Sequence, residues 1–161
     1  MNIAIIYHSQ TGQTAKLAKL METKLTGNGH EVSLFDLKTN VPVKGGSIRQ
    51  PMNFEIVNLP DISEFDALCL GGPVWAFGPS TVLYKAVQMM PNFNGKKVLP
   101  FTTMGFPFEG MGGKNAINHI SKLLTGKAAK VLPGIIVPKM FHNFDELMKK
   151  AVDNCLAYFK N

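Results

Sequence analysis

The sequence predicts a three-layer, doubly wound α/β protein: a parallel sheet with helices on both faces. Apolar runs of strand length alternate with amphipathic stretches of helix length along the chain, as strand–helix–strand crossovers require. The first apolar run passes straight into a hydroxyl-rich turn that opens a helix, within Ile3 to Leu17. A chain of 161 residues, 45% of them hydrophobic, suits a single domain over residues 1–161 whose core needs neither disulfides nor metal.

Five strands are expected, at Asn2 to Tyr7, Glu31 to Asp36, Ala67 to Gly71, Lys97 to Thr103 and Lys130 to Val137. The helices between and after them are expected at Gln13 to Asn28, Ser80 to Met90, Lys114 to Gly126 and Asn143 to Lys160. In the first helix Leu17, Leu20, Met21 and Leu25 recur at helical spacing, and Gly27 and Gly29 supply its stop. The last helix places Leu147, Ala151, Cys155 and Tyr158 or Phe159 on one face for packing. The connection from Leu37 to Phe65 carries Pro42, Gly45, Gly46, Pro51 and Pro60, so it should be irregular, with a short edge strand around Glu55 to Leu59. Right-handed crossovers leave two common sheet orders, and the length favours the five-stranded one. In such sheets a ligand lies outside the carboxyl ends of the strands where strand order reverses, so the loops after Tyr7, Gly71 and Thr103 are the ones that matter.

Composition narrows the function. No apolar run approaches the roughly 20 residues that cross a bilayer, and the N-terminus enters a strand directly, so a cytoplasmic protein is expected. The net charge of +6 comes from lysines scattered singly or in pairs, with no basic helix carrying interleaved aromatics. Neither nucleic acid nor a membrane is therefore an expected partner; the charge reads as a solvated basic surface or one that docks an acidic partner. Cys69 falls in a strand and Cys155 in a helix, which suits buried reduced thiols.

The turn Ser9-Gln10-Thr11-Gly12-Gln13-Thr14 is a phosphate site by construction. A helix N-terminus offers unpaired N–H groups and roughly half a positive charge, so no lysine or arginine is needed there. Ser9, Thr11 and Thr14 add hydroxyls, and Gly12 lets the backbone approach the ligand. After the third strand, Gly71-Gly72-Pro73-Val74-Trp75-Ala76-Phe77-Gly78-Pro79-Ser80 sets the single tryptophan between glycines and prolines. There Trp75 and Phe77 either stack on a planar ligand or cover the top of the core. After the fourth strand, Thr103-Met104-Gly105-Phe106-Pro107-Phe108-Glu109-Gly110-Met111-Gly112-Gly113 again joins flexible backbone to flat side chains, suited to a heteroaromatic ring or to local lid packing.

Competing motifs fail. Gly110 to Asn115 imitates a nucleoside-triphosphate loop, but Phe108 stands where its first glycine belongs and no Ser or Thr follows Lys114. Asn115 also occupies the third-glycine position of a dinucleotide fingerprint. His8, His30, His119 and His142 are dispersed, no cysteine–histidine cluster has metal-ligand spacing, and no Gly-x-Ser-x-Gly elbow presents a nucleophile. His8 adjoins the phosphate turn and is the histidine to watch.

These three segments, Ser9 to Thr14, Gly72 to Ser80 and Thr103 to Gly113, resemble those of the flavodoxin-like flavoprotein family, and the resemblance spans essentially the whole chain. It implies a sheet of order 2-1-3-4-5 binding flavin mononucleotide (FMN) without a covalent link. By position, Ser9, Thr11, Gly12, Gln13 and Thr14 would hold the phosphate, with Gln10 in the same turn. Pro73, Val74, Trp75, Ala76, Phe77 and Gly78 would line one side of the flavin. Thr103, Met104, Gly105, Phe108, Glu109, Gly110, Met111, Gly112 and Gly113 would approach its other side and pyrimidine edge. The flavin would carry the redox chemistry, so no catalytic acid, base or nucleophile is expected from the protein.

The resemblance leaves three functions open. The first is electron transfer through FMN with a redox partner protein. Electron-shuttling flavodoxins are typically acidic, however, whereas this chain is basic. The second is an NAD(P)H-dependent flavin or quinone oxidoreductase of the same fold, which the Gly72 to Ser80 segment resembles more closely. The third is a non-redox module that binds a phosphorylated ligand or uses flavin as a sensor.

Overall fold

A computed structural model describes residues 1–160. In chain order it comprises β1 (Asn2–Tyr7), α1 (Gln13–Thr26), β2 (Glu31–Asp36), β3 (Ala67–Trp75), β4 (Gly78–Pro79), α2 (Thr81–Met89), β5 (Lys97–Met104), α3 (Gly113–Gly126), β6 (Lys130–Val131), β7 (Ile135–Pro138) and α4 (Phe144–Tyr158). The central order is β2-β1-β3-β5-β6, and β7 also pairs with β5. All of these pairings are parallel. With β6 and β7 as two halves of one strand, this is the expected 2-1-3-4-5 arrangement.

The sheet is buried on both sides, which explains the near-continuous apolar strands. Alternate residues of β1 serve opposite faces. Ile3, Ile5 and Tyr7 pack with Leu17, Met21 and Leu25 of α1 and Met148, Val152 and Cys155 of α4. Ala4 and Ile6 pack with Val82, Leu83 and Val87 of α2 and Ile120 and Leu124 of α3. Both cysteines are buried and free, and burial beside Cys155 pushes the Cys69 thiol well up, which keeps it protonated and inert.

Helix ends follow local chemistry. Ser80 and Asn143, expected as first helical residues, are instead N-caps that accept the N–H of Leu83 and Glu146. The first helix stops at Thr26, with Gly27 as its cap. The last stops at Tyr158 rather than Lys160.

Three expectations need correction. The fifth strand is interrupted between Val131 and Ile135, where Pro133 lacks an N–H and Gly134 lies so close to α3 that a Cβ would stand 2.5 Å from Ile117 Cγ2. No strand forms at Glu55 to Leu59; Ile56 makes a single antiparallel bridge to Thr39. The connection is nonetheless anchored, because Leu37, Phe54, Ile56 and Ile62 are buried against the α2 side of the sheet and Lys85 Nζ donates to the carbonyl of Phe54.

The third correction concerns the segment after Gly71. The third strand runs on to Trp75, with Gly72 and Pro73 still paired to Thr102 and Thr103, and then folds back through Ala76 and Phe77 into β4. Both turn residues have positive φ, 49° and 58°, as a two-residue primed hairpin turn requires. Asn-Gly is the usual solution, so Ala and Phe here carry strain of about 1–3 kcal/mol each. Replacing the pair with Asn-Gly is expected to raise unfolding stability by about 1–3 kcal/mol in urea titration. A loss of stability would mean that the Phe77 ring contributes more than the backbone strain costs.

Candidate functional site

The α1 N-terminus is bare. Among the described residues, the N–H groups of Thr11, Gly12, Gln13 and Thr14 have no protein acceptor. Only with Ala15 does the series close, its N–H donating to Ser9 Oγ at 3.2 Å, followed by Lys16 N–H to Gly12 O at 3.0 Å. Gly12 sits at φ 93°, the left-handed region that a glycine adopts freely; a Cβ there would meet no atom within 4 Å, so the space beside it is open. Exposed donors in this arrangement fit a phosphate without a cation.

The hydroxyls of the turn divide their work. Thr14 is buried and its Oγ1 lies 2.8 Å from Thr103 Oγ1, tying α1 to the end of β5. Ser9 Oγ accepts from Ala15 but keeps its own proton to donate. Thr11 is exposed. The Gln10 side chain is turned away, its Nε2 donating to Lys44 O at 3.0 Å.

Two adjoining cavities extend from this turn along the carboxyl ends of β3 and β5. Gln10, Thr11, Gln13, Pro73, Val74, Trp75, Thr103, Met104 and Gly105 line the first, of about 330 Å³, together with Lys139 and Phe144. Val74, Ala76, Phe77, Met104, Gly105 and Met111 line the second, of about 250 Å³, with Phe106 and Met140. Val74, Met104 and Gly105 belong to both, so the two form one slot running from the turn before α1 to an apolar end. A larger surface hollow between α1 and α4, about 420 Å³, lies on the helical face away from the strand ends.

The remaining residues expected at the site stand around the slot rather than in its lining. Gly78 is in β4, and Gly113 starts α3. Phe108, Glu109 and Gly110 are exposed on the loop after β5, with Glu109 O accepting from Lys114 N–H at 2.9 Å. Gly112, at φ 113°, packs on the hairpin, where a Cβ would stand 2.7 Å from Phe77 Cα. It thus lets the two loops that flank the slot touch.

The sequence reading missed Lys139, Met140 and Phe144. They follow β7, and their place at a strand's carboxyl end was the available signal. The N–H groups of Lys139 and Met140 donate to Met104 O and Gly105 O, and His142 Nε2 lies 2.7 Å from Pro107 O, so this segment braces the loop after β5.

Trp75 is both core and site. It is 9% exposed and belongs to the core on the α2 side, yet it also borders the slot. Its ring meets His8 edge-on, with centroids 5.0 Å apart and planes at 83°. His8 Nδ1 lies 2.8 Å from Ser80 Oγ, linking the end of β1 to the cap of α2. Phe77 and Phe106 are exposed and stack on each other, with centroids 5.7 Å apart and planes 2° from parallel.

Burial lowers the His8 pKa to about 4, against a weaker opposing pull from Asp36. The folded imidazole is therefore neutral at pH 7. The unfolded one takes its proton near pH 6.5, so stability is complete above that pH and is lost as pH falls toward 4, by about 3 kcal/mol. Urea unfolding at pH 7 and pH 4.5 should show this loss in the parent and a much shallower one in His8→Asn. Equal slopes in the two proteins would refute it.

A doubly wound sheet of this strand order, with a turn of unpartnered amides after its first strand and a slot beside it, defines a flavodoxin-like protein. Similar folds occur in oxidised flavodoxin 2 from Bacillus cereus (TM-score 0.71, 19% identity, 98% of this chain and 97% of that one) and flavodoxin 1 from the same organism (TM-score 0.69, 17% identity, 100% of both chains). A flavoprotein in complex with FMN from Lactobacillus acidophilus is also similar (TM-score 0.64, 18% identity, 92% of this chain and 97% of that one). No curated protein matches the sequence. The family model for NADPH-dependent FMN reductase matches residues 1–142, and the chain belongs to that family. It is an FMN-binding flavoprotein.

Proposed function

We propose that the protein is an FMN-dependent oxidoreductase that takes two electrons from a nicotinamide nucleotide and passes them to a second acceptor. The observation that carries this reading is the family match over residues 1–142. When bound, FMN supplies the redox chemistry, and the chain's own residues hold and shape it. The amides of Thr11 to Thr14 and the Ser9 and Thr11 hydroxyls bind the phosphate. Pro73, Val74 and Trp75 from the end of β3 and Thr103, Met104 and Gly105 from the end of β5 line the slot. Phe77, Phe106, Met111 and Met140 keep the far end apolar and limit water there.

Anaerobic mixing of the holoprotein with NADPH is expected to bleach the flavin's visible absorbance within seconds. A spectrum unchanged by both NADPH and NADH would overturn the reductase reading. The second reading, an electron carrier, draws support from exposed phenylalanines, two lining the slot and two on the segments after β5 and β7. Phe77, Phe106, Phe108 and Phe141 are 57%, 45%, 67% and 89% exposed, an apolar surface that suits a transient redox partner. The non-redox module has no support beside membership in a redox family.

A further inference from the structure

The connection between β2 and β3 does more than cover the core. Gln10 Nε2 holds it at Lys44 O, and Gly46 packs on α2, where a Cβ would lie 3.7 Å from the Thr81 methyl. The next residues form a tight turn, with Gln50 N–H donating to Ser47 O at 3.0 Å and Arg49 N–H to Ser47 Oγ at 3.2 Å. This turn sits beside the Trp75–Gly78 hairpin and the first turns of α3. Ser47, Ile48 and Arg49 from the connection, Asn115 and His119 from α3, and the hairpin itself enclose a third cavity of about 270 Å³.

Its chemistry differs from that of the flavin slot. Arg49 is the only arginine in the chain, and among the described residues it makes no ion pair. No carboxylate lines the cavity. Asn115 Nδ2 donates to Phe77 O at 2.9 Å, which fixes the amide and leaves its second N–H free to donate. An unpaired guanidinium, a serine hydroxyl, an amide and an imidazole around one hollow are a set of donors without an acid, the environment a phosphoryl group needs. Trp75, Ala76 and Phe77 line this cavity on one side and the flavin slot on the other, so a single hairpin separates them.

We infer that this cavity is a phosphate subsite for the nicotinamide nucleotide, with Arg49 supplying the charge and Ser47, Asn115 and His119 the accompanying hydrogen bonds. The identity of the ligand rests on the reductase reading. A nucleotide anchored here stands one hairpin away from the flavin, which gives the Leu37–Phe65 connection a role in substrate choice.

The test is calorimetric titration of holoprotein with NADP⁺, NAD⁺ and 2′,5′-ADP, comparing the parent with Arg49→Gln. Arg49 is exposed and its side chain makes no ion pair among the described residues, so the variant keeps the parent's fold. The expected result is a loss of affinity for NADP⁺ of about 10- to 100-fold, as for removal of a charge-assisted contact. A loss confined to NADP⁺ and 2′,5′-ADP places the 2′-phosphate at Arg49, whereas an equal loss for NAD⁺ places the pyrophosphate there; both support the subsite. Unchanged NADP⁺ affinity in the variant overturns it, even where NADPH bleaches the flavin and the reductase reading stands. Arg49-dependent NADP⁺ binding without bleaching leaves the subsite standing and removes the reductase reading. A parent protein that binds none of the three overturns both.

Discussion

Gly12→Val is expected to weaken FMN binding by about 10- to 100-fold while leaving the apoprotein folded. Gly12 is the N-cap of α1 at φ 93°, a conformation that costs a β-branched residue about 1–3 kcal/mol. Valine relieves that strain by rotating the backbone, and the rotation re-aims the amides of Thr11 to Thr14, which have no protein acceptor among the described residues. A Cβ at this position meets no protein atom, so the penalty falls on the ligand site and not on the core. At about 1.4 kcal/mol per tenfold, the strain alone accounts for the expected range. Quenching of FMN fluorescence on titration with apoprotein measures it, and Gly12→Ala should fall between parent and valine. Parent-like affinity in a folded valine variant would place the phosphate elsewhere.

Trp75→Ala is expected to be the most destabilising single change at the site, at about 3–5 kcal/mol, the usual cost of truncating a buried aromatic. The ring is 9% exposed, packs in the core on the α2 side and supports His8 edge-on. Its loss opens a void joining the slot to the cavity lined by Arg49, since Trp75 lines both. Urea unfolding of the apoprotein reads the stability, and FMN titration below the unfolding transition reads the slot. Trp75→Phe should recover most of the stability and less of the FMN affinity, because phenylalanine refills the core but presents a smaller wall. A change in stability under about 1 kcal/mol on truncation to alanine would show that the ring is not a core element.

Much of the fold was legible. β1 and β2 match their expected bounds, and every expected helix exists, because apolar periodicity and capping residues are local signals. The turn between β1 and α1 was legible for the same reason: strand, glycine and helix start are contiguous from Tyr7 to Gln13. The hairpin at Ala76 and Phe77 was not, since neither residue advertises a primed turn and the contacts that hold them at positive φ, the pairing of Val74 with Pro79 and Trp75 with Gly78 and the Asn115 bond to Phe77 O, form only in the folded chain. The break between β6 and β7 follows from Pro133 and the approach of Ile117 to Gly134, a contact between α3 and the sheet edge that no local window contains.

By itself the sequence determined the strand and helix order, the buried sheet and the bare amides at the head of α1, because each depends on residues adjacent in the chain. Tertiary structure alone decided the rest. It made Trp75 a core residue as well as a wall, paired Thr14 with Thr103, and brought Lys139, Met140 and Phe144 to the slot. It also set Arg49 across a hairpin from that slot, in a cavity without a carboxylate. These groups come from segments distant in the chain, and packing of the connection and the helices onto the sheet is what places them together. The row of amides without a protein acceptor is a property of one turn, whereas the slot and the cavity beside it exist only in the folded chain.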